Sequence, residues 1–241
     1  MARKVYHERW NTYQNVFDDF TLRNLFRLET REHIAGLESS VSMGKEANIF
    51  SAKVNGGDNV IVKIYRLETC DFNRMYDYIK YDPRYFSLGK QRRKIIFAWC
   101  QREFRNLMLL RESGVRVPKP ISFIDNILVM EQINSGSKVA PKLKDSQVDD
   151  PEAFFEKVIF YLRRMYHVAG LVHGDLSAFN ILNSEGEPVI IDVSQAVPLT
   201  SQGADDLMKR DCKNLCVFFR KLGLALDEQE VYARIKKKDD N

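Results

Sequence analysis

The hydrophobic pattern changes character half-way along the chain. In the first half, short apolar runs alternate with turn residues. IAGLESSVSMGKEANIFSAKV (34–54) reads as a strand, a turn containing Gly44 and a second strand. NGGDN (55–59) is a strong turn, and VIVKIYR (60–66) follows as an apolar third strand with Lys63 set inside it. IIFAWCQREFRNLMLLRESG (95–114) has the helical period. Ile96, Cys100, Glu103, Leu107 and Leu110 fall on one face, which places Glu103 inside an apolar stripe. NILVMEQI (126–133) reads as another strand, running into a hinge at Asn134 to Gly136.

The second half is mainly helical. DDPEAFFEKVIFYLRRMYHVAG (149–170) has Asp150 as cap, Pro151 at the first helical position and Gly170 as terminator. Then come LVHGDLSAFNIL (171–182), a turn at NSEGEP and a strand at VIIDV. A final helix, ADDLMKRDCKNLCVFFRKLG (204–223), is expected to turn Leu207, Leu215, Phe218 and Leu222 inward. Residues 1–36 read as a polar helical lead-in, with Asp19 or Thr21 as N-cap before Leu22, Leu25, Phe26 and Leu28. Residues 66–93 show no clear period. Within and just beyond them YDPRYFSLGKQRRK (81–94) reads as a mobile basic loop, expected to order against RNA or a partner. The pattern predicts an α+β, bilobal chain: an extension over 1–36, a nucleotide-binding lobe over 37–133 and a helical catalytic lobe over 134–241.

Composition changes this little. The chain has 241 residues, 44% hydrophobic and 29% charged, which suits one large domain or two small lobes. The net charge of +4 permits contact with nucleic acid without arguing for it. No apolar run approaches a membrane span, and the N-terminus lacks the apolar core of a signal peptide. The cysteines Cys70, Cys100, Cys212 and Cys216 have no metal-ligand spacing, so reduced thiols in a cytoplasm are the simple expectation.

The chemistry lies in three polar residues set in apolar frames. Asp175 and Asn180 have the spacing D-x-x-x-x-N, and Asp192 follows twelve residues after Asn180 at the end of an apolar strand. This matches the phosphoryl-transfer template, in which one aspartate faces the attacking hydroxyl or water while an asparagine and a second aspartate hold Mg²⁺ over the phosphates. Taken singly, each residue is as well explained as a turn or cap. Together, in this order, they point to function. Lys63 and Glu103 each need a partner, because a charge buried alone is costly, and pairing them would aim the ammonium at phosphate. Around Gly44, backbone N–H groups with Ser42 and Lys45 could cradle phosphate, although a single glycine is neither a kinase G-x-G-x-x-G nor a Walker loop.

These segments resemble the RIO family of atypical protein kinases. SMGKEANIF resembles its phosphate loop, with Met43 in place of a threonine, IVKIYR its lysine strand, and QREFRNL its glutamate helix. LVHGDLSAFNIL and IIDVSQAV resemble its catalytic and metal loops, and the basic loop before the glutamate helix points to the first subfamily in a compact, archaeal-length form. The resemblance runs from about Leu37 to Gly223. It implies a bilobal kinase-like fold with a reduced activation and substrate region, and a Ser/Thr kinase or ATPase using ATP with Mg²⁺ or Mn²⁺. It also implies a cytoplasmic role in maturing the small ribosomal subunit, with the precursor particle's RNA and protein as partners. By this resemblance Asp175 is the catalytic aspartate, and Asn180 and Asp192 are metal ligands. Asp192 is also the site of a proposed aspartyl-phosphate. Ser42, Gly44, Lys45 and Glu46 lie in the phosphate loop, Lys63 pairs with Glu103, and Met130, Glu131 and Ile133 lie at the adenine. Gly174 stands where ordinary protein kinases carry arginine, so no cation is expected there, and neither D-F-G nor A-P-E follows Asp192. Two other readings stand beside it: a small-molecule phosphotransferase of the aminoglycoside or choline kinase type, which shares the H-G-D-x-x-x-x-N pattern, and an ATP-gated ribosome-binding switch, in which ATP only sets the conformation.

Overall fold

The structure, a computed structural model, describes residues 17–54, 56–80, 82–85 and 88–238. Helix α1 (Asp19–Thr30) is capped by Asp18, one residue before the nearer of the two expected caps. Asp18 accepts from the N–H groups of Phe20 and Thr21, and the Thr21 hydroxyl donates back to its other oxygen. Residues 1–16 of the expected lead-in lie outside the described residues.

Five antiparallel strands follow in the order β1-β2-β3-β5-β4: β1 (Leu37–Met43), β2 (Ala47–Lys53), β3 (Asn59–Tyr65), β4 (Pro120–Ile124) and β5 (Ile127–Glu131). Register sets Lys63 opposite Ile49 on one side and Leu128 on the other. Alternation along β3 then sorts its side chains. Val60, Val62 and Ile64 join Leu25 and Leu28 of α1 in one apolar cluster, while Lys63 and Tyr65 face the opposite way, toward Glu103. Strand β4, for which the sequence shows no signal, sits at the sheet edge and opens with Pro120, where a missing N–H costs no ladder bond.

The stretch read as aperiodic holds helix α2 (Phe72–Ile79), capped by Asp71 and burying only Met75 and Ile79. Two buried residues make too short a stripe to show as a period. The basic loop is largely tied down where it is described. Arg84 bonds Asp82 and Asn106, and Arg92, the first residue of α3 (Arg92–Glu112), donates to the carbonyls of Leu67, Glu68 and Cys70. Helix α3 buries all five residues of the expected face and also Arg102 and Asn106.

The expected hinge forms a small hairpin, β6 (Asn134–Ser135) with β7 (Lys138–Val139), leading to α4 (Pro151–His167), which Asp150 caps as anticipated. Short strands β8 (Leu171–Val172), β9 (Ile181–Ser184), β10 (Glu187–Ile190) and β11 (Val197–Pro198) carry the catalytic-type loops, and helices α5 (Ala204–Lys221) and α6 (Glu228–Lys236) close the lobe. Helix α6 escapes the sequence because it buries only Val231 and Ile235. The inward face of α5 is rotated from the expected one: Met208, Asp211, Cys212, Leu215, Cys216 and Phe219 are buried, Leu207 and Phe218 are partly so, and Leu222 is exposed. The four cysteines are buried and free, and no described helix is long and apolar enough to cross a membrane.

Candidate active site

Lys63 is the centre of the site. It is 6% exposed, and its Nζ lies 2.8 Å from Glu103 Oε1 and 2.9 Å from Asp192 Oδ1. Burial works against the ammonium, but the Asp192 and Glu103 carboxylates outweigh it and raise its pKa. Glu103, 1% exposed, also accepts from the Tyr65 hydroxyl through Oε2, so both its oxygens are engaged. The two charges that sequence pattern left stranded in apolar elements thus neutralise each other across β3 and α3, as expected.

Asp192 stands two residues beyond β10 in the left-handed region (φ 57°, ψ 57°), a conformation that disfavours a side chain and recurs at functional turns. Its side chain is 45% exposed. Surrounding protein atoms oppose its ionisation, yet Lys63 and the Ser194 hydroxyl, 2.9 Å away, hold its carboxyl below the usual range. Oδ1 takes both these bonds, which leaves Oδ2 open.

The 171–182 loop is built around buried polar anchors. Asp211 of α5 accepts the N–H of Gly174 through Oδ2 and that of Leu176 through Oδ1, each at 2.8 Å. His173 accepts the Asp175 N–H on Nδ1 and so donates Nε2–H to the Ile191 carbonyl. Asn180 Nδ2 donates to the Asp175 carbonyl at 2.8 Å, which leaves Oδ1 as its remaining ligand atom. These bonds bring Asp175, Asn180 and Asp192 to one place. Position 174 itself carries no cation, but one stands beside it. Arg210 reaches over from α5 and donates to the Gly174 carbonyl and to the Tyr78 hydroxyl of α2.

The β1–β2 turn borders the site at Glu46, whose carboxylate interacts with Asp192, Asp175 and Lys63. A Cβ on Gly44 would meet the Ala47 carbonyl at 2.9 Å, and the Gly44 N–H is spent on that same carbonyl, so it cannot cradle phosphate as anticipated. Ser42, near the end of β1, and Lys45 on the turn are both exposed. Glu46 faces inward. Burial, with Asp192 and Asp175 nearby, raises its carboxyl above the usual range against the pull of Arg74 and Lys63. At the far end, Met130 pairs with Ile61, the Glu131 N–H goes to the Lys119 carbonyl, and the Glu131 side chain meets Arg111 and Arg116. The Ile133 carbonyl accepts from Ala140, so its N–H is the group left to face a ligand.

Among the described residues no three His, Cys, Asp or Glu side chains form a ready metal cage. Asn180 Oδ1 and Asp192 Oδ2 are hard oxygen donors beside further acidic groups. Such a pair fits Mg²⁺, which takes few protein ligands and fills the rest with phosphate oxygens and water. Sequence reasoning missed Arg102, Asn106, Gln195, Arg210 and Asp211. Only Asp211 left a signal, a carboxylate within the apolar stripe of α5.

Comparison with known proteins bears on the whole arrangement. The RIO domain family model matches residues 48–231. The chain belongs to the RIO family. It is 40% identical over 225 residues to the RIO-type serine/threonine-protein kinase Rio1 of Haloferax volcanii, covering 93% of this chain and 77% of that one. It is also 40% identical to the Rio1 of Methanocaldococcus jannaschii, covering 96% and 79%. Among solved structures, the Rio2 kinase–ADP/Mg²⁺–phosphoaspartate complex of Chaetomium thermophilum superposes with a TM-score of 0.66 at 22% identity, covering 89% of this chain and 66% of that one, which establishes the shared kinase-like fold. The RIO-type kinase is therefore bilobal, with its antiparallel sheet in the N-terminal lobe.

Proposed function

We propose that this RIO-type kinase performs Mg-ATP-dependent phosphoryl transfer in the cleft between Lys63 and Asp175. The observation that carries the reading is Lys63, held between Glu103 and Asp192, with Asp175 and Asn180 bonded to each other on their own loop. In this reading the lobes divide at residues 37–133 and 134–241 with an extension over 1–36. Lys63 binds phosphate, the turn of Ser42, Gly44, Lys45 and Glu46 covers it, and Met130, Glu131 and Ile133 line the adenine end. Mg²⁺ held by Asn180 and Asp192 neutralises charge on the phosphates.

In this reading Asp192 also acts as nucleophile. Its carboxylate attacks the γ-phosphorus, the bond from γ-phosphorus to the bridging oxygen breaks, and ADP leaves with the electron pair. Water then attacks the aspartyl-phosphate and gives its proton to Asp175. The bond to Asp192 breaks, which releases phosphate and restores the carboxylate. The phosphoaspartate in the Chaetomium Rio2 complex supports the same step here. The absence of an A-P-E platform fits turnover without a peptide acceptor, while serine or threonine hydroxyls remain the acceptor class of the named relatives. The working partner is a cytoplasmic precursor of the small ribosomal subunit, approached through the basic 82–94 segment.

Incubation with γ-labelled ATP followed by denaturation tests the covalent step. Label bound to the protein is expected to be released by neutral hydroxylamine, which cleaves an acyl phosphate and spares a serine phosphate. Label that survives the reagent in full would overturn the aspartyl-phosphate.

A further inference from the structure

Gln195 follows the metal loop and is 7% exposed. Its Nε2 donates to Asp175 Oδ2 at 3.2 Å. Asn180 Nδ2 meets the same oxygen at 3.5 Å, and among the described residues no donor meets Oδ1. The turn that carries Gln195 is pinned from α3: Asn106 Nδ2 donates to the carbonyls of Val193 and Ala196 at 2.9 and 3.2 Å, and Arg102 Nη2 to that of Ala196 at 3.0 Å. From the other side Gly174 lies so close that a Cβ there would sit 3.2 Å from the Gln195 carbonyl.

The other half of the amide has no partner. Gln195 Oε1 is buried and finds no hydrogen-bond partner among the described residues. A buried acceptor left unpaired is destabilising, so packing alone favours an apolar side chain of the same length at this position. What the amide adds is its donor, and the donor is spent on Asp175. We infer that Gln195 is a positioning residue for phosphoryl transfer: by holding Oδ2 it presents Asp175 Oδ1 to the attacking water or hydroxyl. The inference rests on the proposed role of Asp175. It also gives the helix that supplies Glu103 a second task, since the same helix fixes the turn that orients the aspartate.

Gln195→Met keeps the length and removes the donor. Single-turnover ATP hydrolysis is expected to fall about 10- to 100-fold, the loss associated with a misplaced reacting group. The Mg-ATP dissociation constant should stay within about threefold and the thermal midpoint should not fall, because the unpaired oxygen is gone too. In an Asp175→Asn background the same change should cost less than about twofold more, since residues acting as a unit are not additive. A purely structural role would lower the midpoint and would cost as much in either background. Gln195→Ala gives the same rate pattern from an emptied site and serves if the methionine variant does not fold. Turnover by Gln195→Met within twofold of wild type, with Asp175→Asn strongly impaired, overturns the inference alone. An undiminished loss in the Asp175→Asn background also overturns it. Equal turnover by wild type and Asp175→Asn overturns the reading of Asp175 beneath it.

Discussion

Lys63→Ala is expected to lose both nucleotide affinity and stability. Lys63 is the only cation bonded to Glu103 among the described residues, and it also holds Asp192. Removing it leaves Glu103 buried with only the Tyr65 hydroxyl, at a cost of about 3 kcal/mol, the usual penalty for orphaning a buried charge. Loss of a charge-assisted phosphate contact adds a separate effect of about 2 kcal/mol on binding, or roughly 30-fold in the dissociation constant. The two effects can be separated. Lys63→Met combined with Glu103→Leu replaces the pair by apolar side chains, so it should recover much of the stability in denaturant titration and none of the affinity by calorimetry. A Lys63→Ala protein that binds Mg-ATP as tightly as wild type rules out the phosphate assignment.

Asp192→Asn should show the opposite balance. Lys63 keeps Glu103 as its partner, and the substituted side chain has the same shape, so the thermal midpoint should move by only about 2–4 °C. Turnover should fall at least about a thousandfold, because in the proposed reading one change removes both the nucleophile and a metal ligand. Neither labelled protein nor free phosphate should accumulate above background in a single turnover. Turnover within tenfold of wild type would show that the carboxylate is dispensable.

How much of this was legible in the sequence depends on how each charge is used. Lys63 and Glu103 stood out because each interrupts an apolar run, and a buried charge has to find an opposite one. Asp175, Asn180 and Asp192 stood out through spacing. Asp211 left only a carboxylate inside the stripe of α5, because its partners are backbone N–H groups and no opposite charge elsewhere in the pattern points to it. Treated as a surface residue, it shifted the apparent apolar stripe of α5 by one position, toward Leu207 and Leu222. Arg102 and Asn106 were hidden for the same reason, since both serve main-chain carbonyls of the metal loop. Helix α6 and strand β4 lack any long pattern of their own and take their form from what they pack against.

Gly174 also restricts how this catalytic loop can change by mutation. Its φ of +78° lies where side chains are strained, and any Cβ would press on the Gln195 carbonyl at 3.2 Å. An arginine at this position, the residue through which ordinary protein kinases read a phosphorylated loop, is therefore not one tolerated codon change away. The guanidinium of Arg210 already takes up the carbonyl beside it, so selection has no vacancy to fill. An arginine here would have to strain the backbone and crowd Arg210 at once, so variants of this loop that carry one are expected to be selected against.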